Sequence, residues 1–148
     1  MSEEKKEEII EQETEKKNTI RAQLEELKKR RADSNKALIS GKGRLRLEKP
    51  ILCMDEEIKE LAYDFTELTG MEYVDAMDTD PDASNVFKTT YRQNLALFAQ
   101  AAAKQTDGLD MRDILERIGI TDATAGAQLA ALFFNASTRA GLDRISTL

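Results

Sequence analysis

Over residues 3–32 apolar side chains are sparse. Ile10, Ile20, Leu24 and Leu27 stand among Glu, Lys, Gln and Arg, and no glycine or proline occurs before Gly41. These are good helix formers, so the pattern predicts one charged helix. Glu13 with Lys17 and Glu25 with Lys29 sit four apart in the favourable order. The best coiled-coil register places Ile10, Glu13, Lys17, Ile20, Leu24, Leu27 and Arg31 on the seam, with two charges interrupting its middle. The expectation is a solvated helix spanning 1–40, able to dock weakly through Ile20, Leu24 and Leu27 and a candidate for self-association. Ser40-Gly41-Lys42-Gly43 ends it, because two close glycines favour left-handed or flexible backbone.

The pattern then changes. In LEKPILCMDEEIKELAYDFTELTG (47–70), Leu45 and Leu47 alternate with Arg44 and Arg46, and Ile51-Leu52-Cys53 follows Pro50. As a strand, the proline must sit at an edge or bulge. Leu61, Tyr63 and Phe65 alternate likewise, yet Ile58, Leu61, Ala62, Phe65 and Leu68 also fit one helix face. Periodicity leaves both readings open. Beyond it, Thr66–Met77 reads as helix and Asp78–Ser84 as a loop around Pro81. A helix from Asn85 would turn Phe87, Tyr91, Leu95, Phe98 and Ala102 inward, flanked by Val86, Leu97 and Ala101, and Gly108 would end it. Asp110 caps a short helix carrying Met111, Ile114, Leu115 and Ile118, which Gly119 stops. A last helix starts at Thr121 or Asp122 with Ala125, Leu129, Leu132, Phe133 and Ala136 inward, and frays after Asn135.

Charge refines this picture. The net charge is −6 over 148 residues, so nucleic acid is not the expected partner. Nine Lys/Arg against Asp33 and Glu48 make a basic neck at 28–49, and eleven acids against Lys59 make an acidic segment at 55–82. Both read first as solvated surface. Cys53 is the only cysteine, which rules out an intrachain disulfide. No apolar run is long enough to cross a bilayer and the N-terminus does not read as a signal peptide, so a soluble intracellular protein is expected.

Candidate chemistry is thin. With no histidine, Ser and Cys nucleophiles lack an imidazole and metals lack their commonest ligand. The GKG at 41–43 lacks the spacing of a phosphate loop. Asp78-Thr79-Asp80-Pro81-Asp82 imitates a calcium loop, but Ala83 and Thr89 stand where glycine and glutamate are required. We expect no catalytic residue, cofactor or metal, and a function of binding another protein.

On Lys49-Pro50-Ile51, the turn, then Ile58, Leu61, Asp64-Phe65 and Leu68-Thr69-Gly70, the chain resembles the tail assembly chaperones of long-tailed bacteriophages and prophages. The resemblance spans about residues 44–136 and does not account for the charged helix. The family's turn usually carries a glycine, where this chain has Met54-Asp55-Glu56-Glu57. The resemblance implies an α+β, mostly helical fold. A hairpin (about 44–64) precedes helices (about 65–136) within a 41–148 domain, and Pro50, Ile51, Leu61, Asp64, Phe65, Leu68, Thr69 and Gly70 are structural signature positions. It further implies a non-enzymatic chaperone in the bacterial host cytoplasm. Such a protein coats the tape measure protein while tail tube protein polymerises around it, and is absent from the mature particle. The rival expectation is a structural or regulatory coiled-coil adaptor whose basic neck contacts an anionic partner.

Overall fold

Helix-forming residues run unbroken from Glu3, and one helix (α1, Glu3–Ser40) takes up all of them. The structure, a computed structural model, describes residues 2–83, 88–142 and 144–147. It divides into two units, residues 1–36 and residues 37–148. In the first, every side chain from Ser2 to Asp33 is exposed. The helix there is held by its own backbone and by local pairs such as Arg30–Glu26 at 2.8 Å.

In the second unit the helix stops where expected. Gly41 takes φ +72°, and a Cβ there would lie 2.3 Å from Cε2 of Phe133, so neither the conformation nor the space admits a side chain. Its carbonyl accepts a hydrogen bond from the Phe65 amide at 2.9 Å, joining the two ends of the hairpin between them. That hairpin is β1 (Lys42–Cys53) paired antiparallel with β2 (Glu56–Asp64). The strand reading therefore holds over the helical one. Met54 and Asp55 form the turn with φ of 52° and 64°. Two consecutive left-handed residues mark a type I′ turn, here built without glycine at a cost of roughly 1–2 kcal/mol per residue. Between Arg46, opposite Glu60, and Ile51, opposite Ile58, the register slips, and Pro50 stands in this bulge where no ladder donor is needed.

Among the described residues, five helices accompany the hairpin: α1, α2 (Gly70–Met77), α3 (Tyr91–Gln105), α4 (Met111–Arg117) and α5 (Ile120–Leu142). The fold is thus α+β and mostly helical. Helix α3 is central, touching β2, α2, α4 and α5. Its Leu97, Phe98, Ala101 and Ala102 are fully enclosed with Ile51 and Leu61 of the hairpin and Ile114 of α4.

Several expected features differ. Thr66–Met77 is not one helix: Phe65–Glu67 is a single 3-10 turn, and α2 opens afresh at Gly70. The expected start of the next helix at 85–87 lies outside the described residues, and α3 begins at Tyr91, which is 54 % exposed rather than core. It ends at Gln105, before Gly108. Helix α5 starts at Ile120, one or two residues earlier than expected, and continues past Asn135 to Leu142. Its inward face is also rotated. Asp122, Ala123, Gly126, Ala127 and Ala130 are buried, whereas Leu132 and Ala136 are exposed. The smallest residues face inward because α5 lies almost against the Phe98 ring, where large side chains would not fit.

Candidate functional site

The signature positions hold the hairpin to the helices. Ile51, Leu61 and Phe65 are buried, Asp64 and Leu68 half-buried, and Pro50, Thr69 and Gly70 exposed. The Asp64 carboxylate accepts from the Thr66 amide at 2.9 Å, which fixes the 3-10 turn. Phe65 then enters an aromatic cluster, with ring centroids 5.1 Å from Tyr63, 5.3 Å from Phe133 and 5.6 Å from Phe134. Burial raises the Tyr63 phenol above its ordinary value. The structure does not gather these residues around a cleft.

Next along the chain, the small helix α2 is clamped against α3. Thr69 caps α2 in a reciprocal box with Glu72, using a 3.2 Å bond from the Glu72 amide and a 3.1 Å bond back to the Glu72 carboxylate. Lys104 near the end of α3 donates to the same carboxylate at 2.7 Å and to the Glu67 carbonyl at 2.9 Å. Burial alone would raise the Glu72 carboxyl. The hydrogen bonds from Lys104 and Thr69 outweigh it and hold the group below its ordinary value. At the other end of α2, the buried Gln93 of α3 donates to the Met77 carbonyl at 3.1 Å.

Clamped at both ends, α2 turns Ala76 into the core and leaves Met71, Tyr73 and Val74 outward at 69 %, 36 % and 48 % exposure. Tyr73 leans on Phe134, centroids 5.6 Å apart, which makes it the floor of this apolar ledge. Asp75 of the same helix and Asp78 just beyond its end are also exposed. The sequence carries no signal that separates Met71 and Val74 from core residues, since both are apolar positions of an amphipathic helix. A second exposed apolar point is the hairpin tip, with Leu52 at 60 % and Met54 at 81 %. There Arg117 of α4 donates to the Leu52 carbonyl at 2.9 Å.

Asp122 also escaped the sequence reading except as a helix start. It is 3 % exposed, and its two carboxylate oxygens accept from the Glu48 and Lys49 amides at 2.9 and 3.0 Å. Those amides are freed by the bulge around Pro50, so the first turn of α5 satisfies what the strand cannot. The role is structural, and the signal available was the proline itself.

Two charged features complete the surface. Of the basic neck, residues 28–36 belong to the first unit and the rest to the second. On β1, Lys42 and Arg46 stand directly across from Asp64 and Glu60, which offsets their charge at the strand pair. Asp78, Asp80 and Pro81 line a groove of about 370 Å³ with Tyr73, Lys88 and Gln93. Among the described residues, no group of three His, Cys, Asp or Glu stands close enough to hold a metal ion. Among the same residues, no helix is long and apolar enough to cross a membrane.

Compared with protein-family models, with curated proteins and with solved structures, the chain matches none of them.

Proposed function

We propose that the protein is a non-enzymatic assembly chaperone that holds an aggregation-prone helical client. The client is the tape measure protein, engaged in the bacterial host cytoplasm while tail tube protein polymerises and released before the particle is complete. One observation carries this reading: a helix clamped at both ends presents Met71, Val74 and Tyr73 to solvent, with Asp75 and Asp78 exposed at its C-terminal end. Methionine is unbranched and polarizable, so it adapts to varied apolar partners. A client helix exposing residues at i, i+3, i+4 and i+7 can lay its stripe along such a ledge. The surrounding carboxylates keep the complex soluble. The adaptor alternative has less support, because Lys42 and Arg46 of its basic neck face Asp64 and Glu60 across the hairpin.

The test is co-expression with the tape measure protein followed by pull-down of the wild type and the Met71→Asp/Val74→Asp variant. Both positions are exposed, so the variant should melt like the wild type and recover far less client. Equal recovery by a folded variant refutes the assignment of the ledge.

A further inference from the structure

Helix α1 carries a short apolar stripe inside a basic segment. Ile20, Leu24 and Leu27 stand at i, i+4 and i+7, so they lie within about 60° of one another on a helix that turns about 100° per residue. Each is more than half exposed. Residues 16–31 hold seven basic and two acidic side chains. Lys16, Lys17, Lys28 and Arg31 fall within about 75° of the centre of the stripe, whereas Glu25 and Glu26 project more than about 120° away from it. Positive charge alone therefore frames the stripe on its own face.

Helix α2 offers the counterpart. Met71, Val74, Asp75 and Asp78 stand at i, i+3, i+4 and i+7, and all four are exposed. Residues 64–82 hold seven acids and no Lys or Arg. Of the basic side chains from elsewhere, Lys104 is committed to Glu72, Arg92 donates to the Thr79 carbonyl, and Lys88 lines the groove with Asp78 and Asp80. Among the described residues, no ion pair joins Asp75 or Asp78 to a basic side chain of its own copy. We propose that the Ile20–Leu27 stripe of α1 docks on the α2 ledge of a second copy of this chain.

Charge selects this pairing. A stripe-on-stripe contact would set the same basic flanks side by side, and a ledge-on-ledge contact would do the same with Asp75 and Asp78. Stripe on ledge joins apolar to apolar and basic to acidic. Basic side chains flank the stripe at both ends, so the match holds in either helix direction, and their stems can lie along Met71 and Val74 while their heads reach the carboxylates. The spacing of the stripe is also that of an amphipathic helix laid in an apolar groove. With only three apolar side chains the contact is reversible. Where the ledge is the client site, α1 is a built-in substitute that covers Met71 and Val74 until a client helix with a longer stripe displaces it. That role rests on the client reading, whereas the contact itself does not.

Sedimentation equilibrium of the full chain and two variants tests this. Leu24→Gln/Leu27→Gln removes the stripe but keeps helix formers, and Met71→Asp/Val74→Asp spoils the ledge. All four positions are exposed, so both variants should melt like the wild type. The wild type should associate reversibly and each variant alone should stay monomeric. An equimolar mixture of the two should associate again, because one brings an intact helix and the other an intact ledge. Asp75→Lys/Asp78→Lys should raise the wild-type Kd by roughly tenfold at low salt and by less at high salt. A ledge variant that associates like the wild type while losing client in the pull-down overturns this proposal and leaves the client reading standing. One that stops associating but recovers client as before overturns the client reading and leaves this contact standing. A wild type that is monomeric to its solubility limit, or a mixture that stays monomeric, overturns the proposal.

Discussion

Two glycines of α5 should respond oppositely to the same substitution. A Cβ built on Gly126 would lie 2.4 Å from Cδ1, 2.7 Å from Cγ and 2.8 Å from Cε1 of Phe98. Ordinary carbon contacts need about 3.5–4.0 Å, so the ring or the helix must move by roughly 1 Å. Phe98 is fully buried and packs against Tyr63, centroids 5.6 Å apart, which leaves it no easy retreat. Overpacking of this kind costs about 1–3 kcal/mol, and alanine returns at most about 1 kcal/mol through helix propensity. Gly126→Ala should therefore destabilise by about 1–2 kcal/mol and lower Tm by roughly 4–8 °C. Among the described residues, nothing lies within 4 Å of a Cβ on Gly141 in the same helix. Gly141→Ala should thus be neutral or stabilise by up to about 1 kcal/mol, less where the helix end frays. Urea denaturation of the two variants, with unchanged slope, measures both. A Gly126→Ala protein as stable as Gly141→Ala would refute the close approach of α5 to α3.

Other substitutions probe the remaining joints. Phe65→Ala should cost about 3–5 kcal/mol, because the ring is buried among three other rings, and an unchanged urea midpoint would move Phe65 to the surface. Asp122→Ala strands the Glu48 and Lys49 amides and should cost about 2 kcal/mol, which hydrogen exchange would show as faster exchange at those two amides. The Glu72 carboxyl is held below its ordinary 4.5 by its partners, so its contribution to stability is present above that value. It is lost as pH falls through the lower folded value, and Glu72→Gln should flatten that part of the acid melting curve.

Much of the architecture could be read from local signals. The helix break at Gly41, the short helix capped at Asp110 and the buried Leu61, Tyr63 and Phe65 follow from turn chemistry and period. The resemblance settled the tie between strand and helix at 44–64, and the structure has the hairpin there. The misreadings share a cause. Rotation of α5 and exposure of Tyr91 depend on which neighbours come close, and small residues win where two helices nearly touch, a fact no single-helix pattern contains. The Met54-Asp55 turn departs from glycine preference because a two-residue hairpin demands left-handed backbone whatever occupies it. The α2 ledge was illegible for a different reason. Apolar residues that bind a client and apolar residues that fill a core have the same chemistry, and only burial separates Met71 from Ala76.

For the holdase role itself, the decisive measurement is light scattering of the tape measure protein as it is diluted from denaturant, with and without this protein. A holdase of this kind should suppress scattering at several copies per client chain. It should do so at moderate salt, because apolar burial carries the affinity while surface charge is screened within about 8 Å. Client that clouds equally in both samples, or protection that vanishes between low and moderate salt, would contradict the role.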